Sequence, residues 1–168
     1  MRARAALIRA VLEQALIPVR RILDAGCGVG LMKRALAQVL PKARYTGLEA
    51  SPYLCGRYGW LQGSIVDYWQ PRSFDLIVCY DVLQYLDDAE AAAAIVNMAR
   101  LTHGALYISA LTRRDWQENC NKARTDRAVR MRDGSWYRRR LTRYFDYLGF
   151  GLWLRKGVSA ILWEMERN

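Results

Sequence analysis

The stretch Ile22-Leu23-Asp24-Ala25-Gly26-Cys27-Gly28-Val29-Gly30 constrains this chain more than any other. An apolar run ends in an acid, and three glycines follow at alternate positions. Leu31 to Leu40 then reads as a helix stopped by Pro41. A strand passing into a helix through a glycine turn is the opening unit of an α/β sheet.

The alternation continues along the chain. Arg44–Glu49 reads as a second strand, and Ser51 opens a short helix with Pro52 in its first turn. Trp60–Gly63 is a third, short strand. Phe74–Tyr80 (FDLIVCY) is nearly all apolar, as suits a strand buried on both faces of a parallel sheet. Asp87 followed by Glu90 forms a capping signature for the alanine-rich helix that precedes a fifth strand, Ala105–Ala110. Residues 112 to 135 break the rhythm as a polar, basic insertion. A helix is expected from Trp136 to Leu148, and then two strands, Gly151–Arg155 and Ser159–Glu166, paired as a hairpin. Residues 1–19, with Leu7, Ile8, Val11, Leu12, Ala15 and Leu16 on one stripe, read as an amphipathic N-terminal helix. The expectation is one α/β domain over 1–168, a doubly wound Rossmann-like sheet of about seven strands closed by an antiparallel hairpin.

In such sheets ligands bind at the carboxyl ends of the strands, where the winding reverses, which puts the glycine loop at the centre of interest. The loop reads GxGxG. A dinucleotide fingerprint would need its third glycine at position 31, where this chain has Leu31. Asp24 would also repel a pyrophosphate, whereas it suits a cationic amino group. Glu49, at the end of the second strand, can accept hydrogen bonds from both hydroxyls of a ribose. A nucleoside that carries an ammonium group and no phosphates fits these features, and S-adenosylmethionine is such a ligand.

The stretches ILDAGCGVG, YTGLEAS, FDLIVCYDVLQYLDD and GFGLWLRKG…AILWEME together resemble the class I S-adenosylmethionine-dependent methyltransferases, in their small-molecule branch, over about residues 20 to 166. The resemblance implies S-adenosylmethionine as cofactor, S-adenosylhomocysteine as product, and methyl transfer to an O or N atom of a small or medium-sized acceptor. It implies that Asp24, Gly26, Cys27 and Gly28 hold the methionine part, together with the backbone of Tyr80. Glu49 would hold the ribose, and Ala50, Ser64 and Ile65 would lie against the adenine. The acid that family members carry just after the third strand is missing here, since Ser64 follows Gly63. Asp67 reads as a cap or a solvated side chain.

Methyl transfer needs a base only when the accepting atom arrives protonated. Tyr80 and Asp81 are the candidates, although Asp81-Val82-Leu83-Gln84 also reads as a capping box. Tyr85, Trp116 and Arg124 are the candidates for substrate contact. His103, followed by Gly104 at the end of a helix, reads as a terminator rather than a base.

Composition narrows the partners. The chain of 168 residues carries a net charge of +10, and eleven Lys/Arg against four Asp/Glu fall between Thr112 and Arg143. That excess points to a polar or anionic small-molecule acceptor, or else to a solvated surface. A nucleic-acid substrate is the weaker alternative, because CYDV replaces the Asn/Asp-Pro-Pro-aromatic motif of amino-methylating nucleobase enzymes. A non-catalytic cofactor-binding subunit is another alternative, as is a homodimer completing an open pocket. Four scattered cysteines and a single histidine suggest neither disulfides nor a metal site. Apolar runs fall short of the ~18 residues of a membrane span, and a cytoplasmic location is expected.

Overall fold

A computed structural model describes residues 1–162. Helix α1 (Arg2–Gln14) is seated by Ala5, Ile8, Leu12 and the following Ala15, spaced at helical intervals and all at most 1% exposed. It is shorter than the expected 1–19. Leu16 takes a φ of 55° and turns outward, and Ile17 re-enters the core. Then come β1 (Arg21–Ala25), α2 (Leu31–Val39), β2 (Arg44–Glu49), α3 (Pro52–Tyr58), β3 (Leu61–Gln62) and β4 (Phe74–Tyr80). A 3-10 turn, Leu83–Tyr85, leads to α4 (Asp88–Leu101), β5 (Thr102–Ser109) and α5 (Arg113–Glu118). The described chain finishes with α6 (Gly134–Leu141), β6 (Phe145–Gly149) and β7 (Leu152–Arg155).

The seven strands form one sheet in the order β3-β2-β1-β4-β5-β7-β6. The first five are parallel, and β7 runs antiparallel between β5 and β6. Strand β4 explains the two-layer cover. Leu76 and Val78 project into a core shared with α1 and α2, whereas Ile77 and Cys79 project into a core shared with α4 and α6. All four side chains are fully buried, and each large aliphatic one contributes roughly 1.5–3 kcal/mol. The α4 capping box forms as read from the sequence. The Asp87 carboxylate accepts from the Glu90 N–H (2.8 Å), and the Glu90 carboxylate accepts from the Asp87 N–H (2.9 Å).

The C-terminal third departs from expectation in its boundaries. The helix expected over Trp136–Leu148 stops at Leu141, and Phe145–Gly149 forms the edge strand β6. Tertiary burial decides this, because Phe145 is fully buried where β6 meets β7. The antiparallel hairpin is therefore β6–β7, one strand earlier than expected. In the expected strand Ser159–Glu166, residues 159–162 are irregular and the remainder lies outside the described residues.

Gly104 is likewise not a helix terminator. It lies within β5 at a bulge where the register with β4 shifts between Phe74 and Leu76. A Cβ there would come within 2.1 Å of the Asp75 carbonyl oxygen. Gly104→Ala is expected to lower unfolding stability by about 1–3 kcal/mol, the usual cost of overpacking, as read from urea denaturation.

Candidate functional site

Because β1 pairs with β2 on one side and β4 on the other, the winding reverses at the carboxyl ends of β1 and β4. A cavity of about 280 Å³ opens there. Glu49, Ser64, Asp81 and Tyr85 supply its polar lining. Gly26, Ala50, Gly63, Ile65, Val82 and Leu86 supply the backbone and apolar surface. A larger hollow of about 530 Å³ lies against β6 and β7, beside Tyr147, Leu154 and Arg155. Size does not locate the site: of these two, the smaller sits at the ends of β1, β2 and β4, where chemical groups converge.

The glycine loop is shaped by backbone and by one indole. Gly26, Gly28 and Gly30 all have positive φ (72°, 52° and 75°). At Gly26 a Cβ would meet a Val82 methyl at 2.4 Å, so the loop and the β4 end approach each other only over bare backbone. The N–H of Gly26 donates to the Leu48 carbonyl (2.8 Å), and the Trp60 indole N–H donates to the Gly28 carbonyl (2.8 Å). Trp60 stacks on Tyr58 and carries the Lys33 ammonium 4.9 Å above its ring.

Glu49 ties three segments together. One carboxylate oxygen accepts from the Gly28 N–H (2.9 Å), the other from the Ser51 N–H (3.0 Å). A carboxylate has about four acceptor positions, so two remain for incoming hydroxyls. Asp24 lies deeper, 2% exposed and hydrogen-bonded by the Tyr45 hydroxyl. Burial pushes its carboxyl up to about 6; the Tyr45 hydrogen bond opposes this, and the neighbouring Glu49 charge adds to it. Burial, with Asp24 and Glu49 nearby, pushes the Cys27 thiol up to about 12, which removes it as a nucleophile near neutral pH.

Asp81 is not the capping residue its spacing suggested. It takes a φ of 57°, its N–H donates to the Ser109 carbonyl (2.9 Å), and the 3-10 turn starts after Val82 without a side-chain cap. The residue is half-buried and lines the cavity. Desolvation raises its pKa; the Tyr80 hydroxyl, the Arg4 charge and the Gln84 amide oppose the rise.

Residues 23–106, half of the chain, match the family model described as a methyltransferase domain. The chain belongs to the methyltransferase-domain family. The seven-stranded sheet is the class I fold of S-adenosylmethionine-dependent methyltransferases that the sequence resembles. A ubiquinone biosynthesis O-methyltransferase of Xanthomonas campestris pv. campestris is 32% identical over 110 residues, covering 58% of this chain and 45% of the relative. The chain thus spans less than half the length of the curated relatives it matches. A sugar N-methyltransferase from Streptoalloteichus sp superposes with a TM-score of 0.57 at 28% identity, over 65% of this chain and 48% of its own. An S-adenosylmethionine-bound amino pentose methyltransferase from Micromonospora echinaspora superposes with a TM-score of 0.68 over 92% and 91%. At 16% identity that likeness speaks for the fold alone.

In this methyltransferase-domain chain the structure gathers Gly26, Glu49, Ala50, Ser64, Ile65, Asp81 and Tyr85 around the cavity. Asp24, Cys27, Gly28 and Tyr80 stand behind or beside it. Trp116, half-buried in α5, and Arg124, exposed on the following loop, do not line it. His103 lies exposed near the start of β5, bridged to Asp75 (3.0 Å) and Ser73 (2.7 Å). Among the described residues no group of three His, Cys, Asp or Glu side chains could hold a metal ion. Nor is any helix there long and apolar enough to cross a membrane.

Sequence reasoning missed Tyr45, Trp60 and Arg132. Gly47 was a usable signal for Trp60: a glycine inside a strand marks a close approach, and a Cβ there would lie 2.7 Å from the indole. Arg132 had no such signal. It is 5% exposed, donates to the carbonyls of Leu83 (2.8 Å) and Leu86 (2.6 Å), and pairs with Asp88 (2.7 Å). It thereby pins the turn that presents Asp81 and Tyr85. Arg132→Ala leaves two carbonyls without their donor while the exposed Asp88 is solvated by water, and a loss of about 2 kcal/mol is expected in chemical denaturation. Arg132→Lys should recover little of it, since a point charge cannot replace the fork.

Proposed function

We propose that this chain binds S-adenosylmethionine at the ends of β1, β2 and β4 and transfers its methyl group to an O or N atom of a small or medium-sized acceptor. The observation that carries this reading is Glu49, held by two backbone N–H groups beside bare glycine backbone, with acceptor positions left for two hydroxyls. Glu49 would hold the ribose, and Ala50, Ser64 and Ile65 would lie against the base. The glycine loop and the backbone at Tyr80 would receive the methionine part, its amino group drawn toward Asp24. When bound, the cofactor supplies an electrophilic methyl group on a sulfonium, suited to in-line displacement. Asp81, at the cavity wall, would accept the proton that leaves the acceptor atom as its bond to carbon forms.

Residues 119–131 meet the acceptor end through two contacts: Asp126 acts on the Tyr85 hydroxyl, and the Arg130 N–H donates to the Gln84 carbonyl (2.7 Å). The segment carries the exposed Lys122, Arg124, Arg127 and Arg130, cations that suit an anionic acceptor. The names of the ubiquinone O-methyltransferase and sugar N-methyltransferase relatives support a small molecule over a macromolecule.

Calorimetry with S-adenosylmethionine and S-adenosylhomocysteine tests the cofactor. Glu49→Ala should weaken binding by about 1–3 kcal/mol, the loss typical of charged hydrogen bonds. Unchanged affinity would refute the placement.

Asp24 supplies a pH test with opposite signs for two measurements. The folded protein holds the Asp24 proton more tightly than the unfolded chain, whose pKa is about 4. Its contribution to stability therefore falls as pH rises from about 4 to about 6. Affinity for the cationic amino group should instead rise over that window, with Kd about tenfold weaker at pH 5 than at pH 7. In Asp24→Asn that dependence should vanish.

A further inference from the structure

A second cavity, of about 240 Å³, lies between the end of β5, the start of β7 and α6. It shares no lining residue with the cavity at the ends of β1, β2 and β4, yet the two are neighbours. Ser109 lines the second cavity, and its carbonyl accepts the N–H of Asp81 (2.9 Å), which lines the first. Tyr80 and Ser109 pair across β4 and β5, so these walls stand on adjacent strands, ~4.8 Å apart.

The lining divides into an aromatic body and one charge. Tyr147 on β6 and Trp153 on β7 are cross-strand partners whose ring centroids lie 4.7 Å apart, and Ile108, Tyr137 and Leu141 add buried apolar surface. No acid lines the cavity, and Arg138 is the one ionised residue that does. Its guanidinium folds back over the first turn of α6, where a Cβ on Gly134 would stand 3.2 Å from it. The bare backbone of Gly134 thus leaves room for the cation at the cavity wall. Among the described residues this guanidinium meets no carboxylate and no hydrogen-bond acceptor. Arg113, Arg114, Arg132 and Arg140 of the same basic segment are, by contrast, consumed by the fold. The Ser109 hydroxyl is also uncommitted among the described residues, whereas those of Thr112 and Tyr137 are tied to Asp115 and Arg132.

One unpaired cation, one uncommitted hydroxyl and two aromatic walls suit a monoanion carried on a planar ring. The volume sets the scale: drug-sized ligands take about 300 Å³ or more, so a single ring with its carboxylate is what fits. We propose that this cavity holds the non-reacting end of the methyl acceptor, and that the acceptor is a small aromatic carboxylate, its ring against Tyr147 and Trp153 and its carboxylate on Arg138. The proposal rests on the reading that methyl transfer takes place at the Asp81 mouth, and it adds the substrate class and the residue that selects it. The reacting atom would project from the ring past Ser109 toward Asp81.

Benzoate is the probe, titrated into the full chain and followed by NMR of the tryptophan indole N–H groups. The Trp153 resonance, assigned by its loss in Trp153→Phe, should shift with a Kd on the order of 1 mM, as suits so small a ligand. Arg138→Gln should weaken binding about tenfold, and Arg138→Lys should restore part of the loss, because the charge returns without the fork. Arg138 is exposed, so neither variant should disturb the fold. Cyclohexanecarboxylate keeps the charge without the flat face, and benzamide keeps the ring without the charge. Each should bind about fivefold more weakly than benzoate. Labelled methyl should pass to hydroxy- and amino-substituted benzoates in preference to the matching benzamides, and Arg138→Gln should raise KM more than it lowers kcat. The proposal is overturned if benzoate leaves the Trp153 resonance unmoved, if Arg138→Gln binds it as well as the parent, or if benzamides are methylated equally well. Phenyl phosphate binding more tightly than benzoate overturns the choice of carboxylate. Calorimetry with S-adenosylhomocysteine keeps the two readings apart. If S-adenosylhomocysteine binds and benzoate does not, this inference fails and methyl transfer stands. If benzoate binds through Arg138 and neither S-adenosylmethionine nor S-adenosylhomocysteine binds, the methyl-transfer reading fails and the acceptor role of the cavity falls with it.

Discussion

The site depends on β1 being paired in parallel on both edges. With β2 on one side and β4 on the other, the segments leaving β1 and β4 must diverge, and a gap at their carboxyl ends is unavoidable. The sequence around the gap manages that geometry. Glycine at position 26 lets the β1 loop pass beneath Val82, and Glu49 from β2 gathers the N–H groups of Gly28 and Ser51. The carboxylate is thus a structural bracket in its own right. Backbone donors occupy only part of its acceptor capacity, which leaves room for the proposed ribose contact.

The basic segment after β5 divides into arginines consumed by the fold and arginines left for other work. Arg132 is buried against Leu83, Leu86 and Asp88. Arg113 reaches Asp133 and the Met131 carbonyl, Arg114 pairs with Glu118, and Arg140 stacks 3.6 Å above Trp136. A parallel bridge between Thr112 and Arg132 closes the base of the segment. Net charge alone therefore overstates the surface available to an anion. What remains is the run from Lys122 to Arg130, which meets the cavity wall at Tyr85 and Gln84, together with the exposed Arg138, Arg139 and Arg143 on and after α6.

Much of this was legible in the sequence where one local rule decided the outcome. Strands β2 and β4 run over the residues read from their patterns, and the Asp87–Glu90 box forms because both partners lie within one turn. The strand-end site followed from topology, and Glu49 from its place at the end of β2. Failures came where two local patterns competed and distant packing chose. Residues 141–149 suit a helical stripe as well as an edge strand, and the burial of Phe145 against the sheet selects the strand. Asp81 to Gln84 has the spacing of a capping box, but the hydrogen bond from the Asp81 N–H to Ser109 holds the aspartate in a conformation that cannot cap. Trp60 and Arg132 act through partners 32 and as many as 49 residues away, beyond the reach of any periodicity.

The electrostatics of the cavity have a directional sense. Asp24 and Glu49 stand close enough for the Glu49 charge to raise the Asp24 carboxyl, on top of a larger rise from burial. Without a ligand, burial and the Glu49 charge together disfavour ionised Asp24. A cation entering near the two acids would relieve that cost and favour ionised Asp24, which a neutral ligand could not do. On the other wall burial raises the Asp81 carboxyl, against the Tyr80 hydroxyl, the Arg4 charge and the Gln84 amide. The cavity is thus acidic on both walls, with Asp24 and Glu49 beneath the glycine loop and Asp81 at the β4 mouth. A cationic donor on the first side and an acceptor that gives up its proton on the second would each meet the charge that suits it.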